Sequence, residues 1–223
     1  STCVVRETDN GGAEHVSIVG DDVTETGDGV ASVFVADAAE IEFVNGFDTG
    51  VFTVAKEIDG PGTDFQTGSF EFAAVCEYNG GEVLNETFAL EAGGSKTFGP
   101  FATGTTCEAT EAADGGATTT QVLPEGPVEM TDAGADTTFI NTFELTSIEV
   151  EKVFGGPAGG FAGEVEVELS CTWDGDGTER DVEVLDPVRT LSPANPTTVF
   201  DNLPIGAECT VTEVDSGGAA GTV

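Results

Sequence analysis

Positive charge is what this sequence most lacks. Against 42 Asp and Glu residues it sets 6 Lys and Arg and 1 His, for a formal net charge of −36. Such a surface repels phosphate backbones and anionic lipid, which makes nucleic acid and acidic membranes poor partners. Met, Trp and Tyr occur once each, too few for an aromatic platform that stacks on sugars. No stretch of about 18 apolar residues is present, so no helical membrane span is expected. Histidine chemistry is reduced to His15, in a Gly- and acid-rich stretch, and is expected at the surface. Neither G-x-S-x-G, H-E-x-x-H nor G-x-x-x-x-G-K-[ST] occurs, which removes the common hydrolase, zincin and phosphate-loop readings. No cofactor or metal site is expected and the chain is read as a non-enzyme. Neither a secretory leader nor a sorting signal is visible. The expectation is therefore an excerpt of a longer tandem array.

What is present is enough for a folded core. Hydrophobic residues make up 39% of the chain and 15 of them are Phe, which argues against disorder. The chain also repeats itself. CVVRETDNGGA at 3–13, CEATEAADGGA at 107–117 and CTVTEVDSGGA at 209–219 share C-x-x-x-E and Gly-Gly-Ala. Cys107 follows Cys3 by 104 residues and Cys209 follows Cys107 by 102. FVNGF at 43–47 and FINTF at 139–143 are 96 apart, as are Lys56 and Lys152, while Cys76 and Cys171 are 95 apart. In one order, five markers recur: Lys, Cys, Cys, Glu, Asn. The spacing predicts a complete repeat over 47–143, a repeat lacking its last strand over 144–223, and the back half of an earlier repeat over 1–46.

Local patterning is that of strands. In Glu164–Cys171 the odd positions Val165, Val167, Leu169 and Cys171 are apolar and the even ones start with three Glu. Phe70, Phe72, Ala74 and Cys76 share a side in the same way. A period of two marks half-buried strands, and Gly, Asp, Asn and Pro clusters mark the turns between them. The expected fold is all-β, as tandem antiparallel β-sandwiches. Glu on the outward parity accounts for much of the acidity and keeps sheet edges from pairing with other chains; cation binding or adaptation to a salty habitat is the alternative. Asp174, Asp176 and Asp181 lack the spacing of a calcium loop and read as turn residues.

Each full repeat carries two cysteines on the inward parity, so the expected disulfides are Cys76–Cys107 and Cys171–Cys209. Cys3 matches a second member, whose partner would lie upstream. Such regular pairing points to an oxidising, extracytoplasmic home. Without C-x-x-C pairs, and with a single His, zinc is disfavoured. Trp173 shares parity with Cys171 and is expected to pack near its disulfide.

Parity also turns charged residues inward. Lys56 sides with Phe52 and Val54, Glu111 with Cys107 and Ala109, and Asn141 with Phe139 and Phe143. Lys152 (with Ile148 and Val150) and Glu213 (with Cys209 and Val211) repeat the first two. Glu7 and Asn45 repeat the last two. Desolvation favours a neutral amine and a protonated carboxyl. A neutral Lys beside a carboxamide can form an amide and release ammonia, with Glu moving the protons. The alternative is a buried Lys–Glu ion pair capped by Asn.

Lys in the first strand, Glu in a "TE" segment and Asn in the last strand resemble the collagen-adhesin B-type (CnaB-like, Ig-like) domains of Gram-positive surface proteins and pilins. The cysteine-bearing segments are similar to tandem repeats of actinobacterial surface proteins. The resemblance implies an extracellular, cell-surface stalk or pilus-like fibre, stiffened by disulfides. It also implies internal isopeptides: Lys56, Glu111 and Asn141 in the complete copy, with partial sets Lys152 and Glu213, and Glu7 and Asn45. Neighbouring repeats and identical subunits in a filament are the implied partners. The competing reading is a ligand-binding adhesin module that recognises carbohydrate or host protein through its loops.

Overall fold

The computed structural model describes residues 1–20, 22–27, 29–35, 38–175 and 177–218. Asp176 of the acidic turn lies outside them. The described residues form 19 strands and two short 3-10 turns, with no α-helix. They fall into three successive groups, and among the described residues no strand ladder crosses from one group to the next.

The first group holds β1 (Thr2–Arg6), β2 (His15–Gly20), β3 (Val23–Gly27), β4 (Val30–Phe34) and β5 (Ile41–Gly46). They pair as β1-β4-β3 and β2-β5. The second group holds β6 (Thr49–Asp59), β7 (Phe70–Tyr78), β8 (Gly81–Leu90), β9 (Ser95–Ala102), β10 (Thr106–Glu111), β11 (Thr119–Leu123), β12 (Val128–Glu129) and β13 (Ala135–Thr142). Here two four-stranded sheets, β12-β10-β7-β8 and β11-β13-β6-β9, supply the faces of one core. The third group holds β14 (Leu145–Glu151), β15 (Val165–Trp173), β16 (Arg180–Val182), β17 (Val188–Leu191), β18 (Thr197–Pro204) and β19 (Glu208–Asp215). There β15 lies between β19 and the successive β16 and β17, and β14 pairs with β18.

Alternation explains these elements. Along β7, Phe70, Phe72, Ala74 and Cys76 are buried while Glu71 and Glu77 are exposed. Along β15, Val165, Val167, Leu169, Cys171 and Trp173 are buried and Glu166 and Glu168 are exposed. The core of the second group is built on phenylalanine. Phe72 stacks on Phe88 at 5.5 Å between ring centroids, meets Phe139 edge-on at 5.1 Å, and Phe88 meets Phe98 edge-on at 5.1 Å. Each such side chain contributes about 1.5–3 kcal/mol by leaving water. The β7–β8 hairpin closes on Asn79 and Gly80, both at positive φ (49° and 76°), the two-residue turn whose twist matches its strands.

One expectation needs correction. The sheets are not wholly antiparallel: β13 runs parallel to β6, from Ala135 opposite Phe52 to Thr142 opposite Asp59. Apolar alternation is the same in either direction, so periodicity could not reveal it. The intervening strands of the unit form the long crossover that a parallel pair requires.

Cys76 faces Cys107 across β7 and β10, and Cys171 faces Cys209 across β15 and β19. Both pairs are disulfide-bonded. Cys3 is free and exposed, despite its inward parity. In the first group β1 pairs with β4, and among the described residues no counterpart of β7 covers it. Trp173 packs in the same cluster as Cys171, and its indole N–H donates to the Ile205 carbonyl at 3.3 Å. His15 is exposed beside Asp48.

Cys76 and Cys107 are separated by 31 residues, and closing a loop of that length contributes about 3–4 kcal/mol by chain-entropy reasoning. Replacing both with Ala should lower the unfolding free energy of this unit by that order in urea titrations. An unchanged midpoint would mean that the bridge adds no stability.

Candidate functional site

The first strand of the second group, β6, buries every second side chain, and that series runs Phe52, Val54, Lys56. An amine therefore stands where the pattern would place a third apolar residue. Lys56 has 0% relative exposure. Its Nζ lies 4.4 Å from the centroid of the Phe70 ring and 3.0 Å from Oε1 of Glu111, whose side chain is 9% exposed. Burial holds the Lys56 amine below its ordinary value, against the opposing pull of Glu111 and Asp114. That lowering raises the share of the neutral, nucleophilic form relative to an exposed lysine.

Asn141 completes the site from β13, the parallel neighbour of β6. It is fully buried. Its Nδ2 donates to Glu111 Oε1 at 3.1 Å and to the Asp114 carbonyl at 2.9 Å. The Asp114 carboxylate accepts the Gly116 N–H at 2.9 Å, which fixes the turn that presents this carbonyl. Asn141 Oδ1 is buried with no hydrogen-bond partner. One oxygen, Glu111 Oε1, thus touches both the amine and the carboxamide nitrogen. This arrangement can take a proton from one nitrogen and deliver it to the other.

The other groups hold the two halves of this site separately. In the first, Asn45 Nδ2 donates to Glu7 Oε1 at 2.7 Å and to the Asn10 carbonyl at 3.3 Å. Asn45 Oδ1 and Glu7 Oε2 are buried without partners. In the third, Lys152 Nζ donates to both oxygens of Glu213 at 2.9 Å. Those side chains are 23% and 22% exposed, because among the described residues no counterpart of β13 pairs beside β14. All seven candidate residues therefore sit in Lys–Glu or Glu–Asn contacts, and the second group brings all three types together.

Two participants were missed from sequence: the Phe70 ring and the Asp114 carbonyl. The second had a signal. Asn10, Asp114 and Ser216 each stand three residues after the repeated Glu, directly before Gly-Gly. Short polar side chains there make the local turn bond seen at Asp114 and at Asn10, whose Oδ1 accepts the Gly12 N–H at 3.0 Å.

The family described as Domain of unknown function (DUF5979) matches residues 52–144 and again 148–223. No curated protein matches. Among solved structures, the chain is similar to two B repeat units of the collagen-binding protein of Staphylococcus aureus, at 17% identity and a TM-score of 0.32, covering 96% of this chain and 68% of that one. It is similar to the major pilin T-13 of Streptococcus pyogenes, at 17% identity and a TM-score of 0.35, covering 63% and 66%. It is also similar to the pilus backbone of Streptococcus pneumoniae, at 12% identity and a TM-score of 0.27, covering 100% and 79%.

The depressed Lys56 fixes the sign of a pH effect. In an Asn141→Ala variant the side chain at 56 remains an amine. Between its lowered value and the ordinary 10.5, the unfolded chain holds a proton that the folded chain has released. Stability of this unit should therefore rise with pH through that window. Below it both states are charged and the burial penalty is present in full. Urea unfolding across alkaline pH should show the rise, and Lys56→Met in the same background should abolish it.

Proposed function

The chain belongs to the DUF5979 family, matched in two successive segments, and on that premise we propose that it is a tension-resisting segment of an extracellular stalk or filament. In this reading residues 47–143 are one complete β-sandwich unit, 144–223 are most of a second, and 1–46 are the back half of a preceding one. Its partners are neighbouring repeats and other subunits of a fibre at the cell surface. Disulfides suit that setting. The protein turns over no substrate; its chemistry is performed once, on itself.

The observation that carries the proposal is the position of Glu111 Oε1 between Lys56 Nζ and Asn141 Nδ2, 3.0 Å from one and 3.1 Å from the other. The neutral Lys56 amine attacks Cγ of Asn141. A bond forms between Nζ and Cγ, and the bond from Cγ to Nδ2 breaks. One proton leaves Nζ, passes through Glu111 and reaches Nδ2, which departs as ammonia. A charge that is costly to bury becomes a neutral amide.

Placement gives the bond its mechanical role. Lys56 is on the first strand of the unit and Asn141 on the last, and these are adjacent and parallel. Tension applied at the two ends of the unit shears this pair, so the ladder from Phe52–Ala135 to Asp59–Thr142 is loaded together. A covalent bond between the strands carries the force past all residues from 57 to 140.

Single-molecule stretching tests this. With the bond formed, the residues between 56 and 141 stay out of the force path. Without it, and with the Cys76–Cys107 bridge reduced so that its loop also extends, a fully extended chain of that length adds about 30 nm. The wild-type chain should lack that extension step, and Lys56→Ala should restore it. A full extension step in the wild-type chain would defeat the proposal.

A further inference from the structure

The two places where one group of strands meets the next are built alike. A Cβ on Gly12 would lie 3.2 Å from the Tyr78 hydroxyl oxygen, and one on Gly116 would lie 3.0 Å from Cζ2 of Trp173 and 2.5 Å from Cα of Gly175. Gly12 and Gly116 are the second glycines of the repeated Gly-Gly pair. Tyr78 and Trp173 each stand two residues beyond the first cysteine of the following unit. A backbone bond recurs as well. Thr103 N–H donates to the Asp48 carbonyl at 3.0 Å, and Ile205 N–H donates to the Glu144 carbonyl at 3.3 Å. Thr103 and Ile205 both precede a second cysteine by four residues, while Asp48 and Glu144 follow Phe47 and Phe143.

One part of the second junction comes from a separate loop. Phe65, at the end of the 3-10 turn Thr63–Phe65, packs against the core cluster of the following unit, to which Trp173 belongs. The repeat spacing gives Phe65 a counterpart in Phe161, 96 residues later. Phe161 ends the equivalent turn, Gly159–Phe161, and is 91% exposed. Gly217 and Gly218 are the counterparts of Gly115 and Gly116. A Cβ on Gly218 would meet nothing within 4 Å, where one on Gly116 meets the next unit.

We propose that the face carrying Phe161 and the Gly217–Gly218 turn is a docking surface for the ring-bearing end of another repeat of this kind. The occupant is a Trp or Tyr two residues beyond the first cysteine of that repeat, seated over the glycine turn with Phe161 against its core. The Phe65, Gly116 and Trp173 contact is the same interface already occupied. Glycine is required at the turn for two reasons: positive φ, 79° at Gly116, and the approach of the ring, which leaves no room for Cβ. A cation also joins the second junction: the Arg180 guanidinium lies over the Trp173 ring and donates to the Thr67 hydroxyl of the preceding unit. This inference stands whether or not Lys56 is crosslinked.

The test extends the full chain after Val223 by a second copy of its own residues 122–223, which completes the third unit and presents a new tryptophan to Phe161. Trp173→Phe in the original copy leaves the new ring as the sole tryptophan. Its acrylamide quenching is the readout, calibrated by Phe65→Ala in the unextended chain, where Trp173 reports its own junction. Both alanine variants concern residues at the rim of their own units, and far-UV circular dichroism checks that each remains folded. The expected result is protection of the new tryptophan equal to that of Trp173, and an increase in quenching with Phe161→Ala that matches the one with Phe65→Ala. Gly218→Val, which blocks the ring without removing an aromatic residue, should give the same increase. A new tryptophan that is quenched freely with Phe161 intact, or quenching unmoved by both variants, would overturn the proposal.

Discussion

A lysine amine with no access to water, touching one carboxylate oxygen that also touches a carboxamide, is the constraint around which the complete unit is organised. An ammonium cannot stay at such a place without a partner. Glu111 supplies one and Asn141 shares it. Three strands must then be held in fixed relation: β6 for the amine, β10 for the carboxylate and β13 for the carboxamide. The parallel β6–β13 ladder, the disulfide that ties β10 to β7, and the phenylalanine core between the two sheets all serve that relation.

The two partial copies show which features belong to which strand. Asn45 keeps its bonds to a Glu side chain and to a turn carbonyl without any lysine. Lys152 keeps its Glu with no asparagine bonded to that Glu among the described residues, yet is partly open to water. Covering the amine therefore depends on the last strand, and orienting the carboxamide does not depend on the first. The same strand that shields the lysine carries the group it would attack. In the complete unit, where that strand is present, burial holds the Lys56 amine below its ordinary value.

Much of this was legible in the residues. Recurrence of Lys, Cys, Cys, Glu and Asn in a fixed order located the disulfides and turned Lys56, Glu111 and Asn141 inward, because a period-two pattern assigns each side chain to a face. Strand direction was hidden, since a parallel and an antiparallel neighbour present the same alternation. Exposure of Cys3 was hidden too: parity gives the face, while burial depends on whether another strand covers it. The Phe70 ring below the amine is a contact across two sheets, and no local spacing encodes it. The Gly-Gly turns and the aromatic residues beyond the first cysteines were visible as repeats. Their meeting at the junctions is a property of how units stack and emerges only in three dimensions.

Peptide mapping by tandem mass spectrometry of the reduced, proteolysed chain tests the central claim most directly. The account predicts one branched peptide in which the side chain of position 56 is joined to that of position 141, lighter than the sum of its arms by one ammonia. Two separate linear peptides, one with a free amine at position 56 and one with an intact carboxamide at position 141, would contradict it.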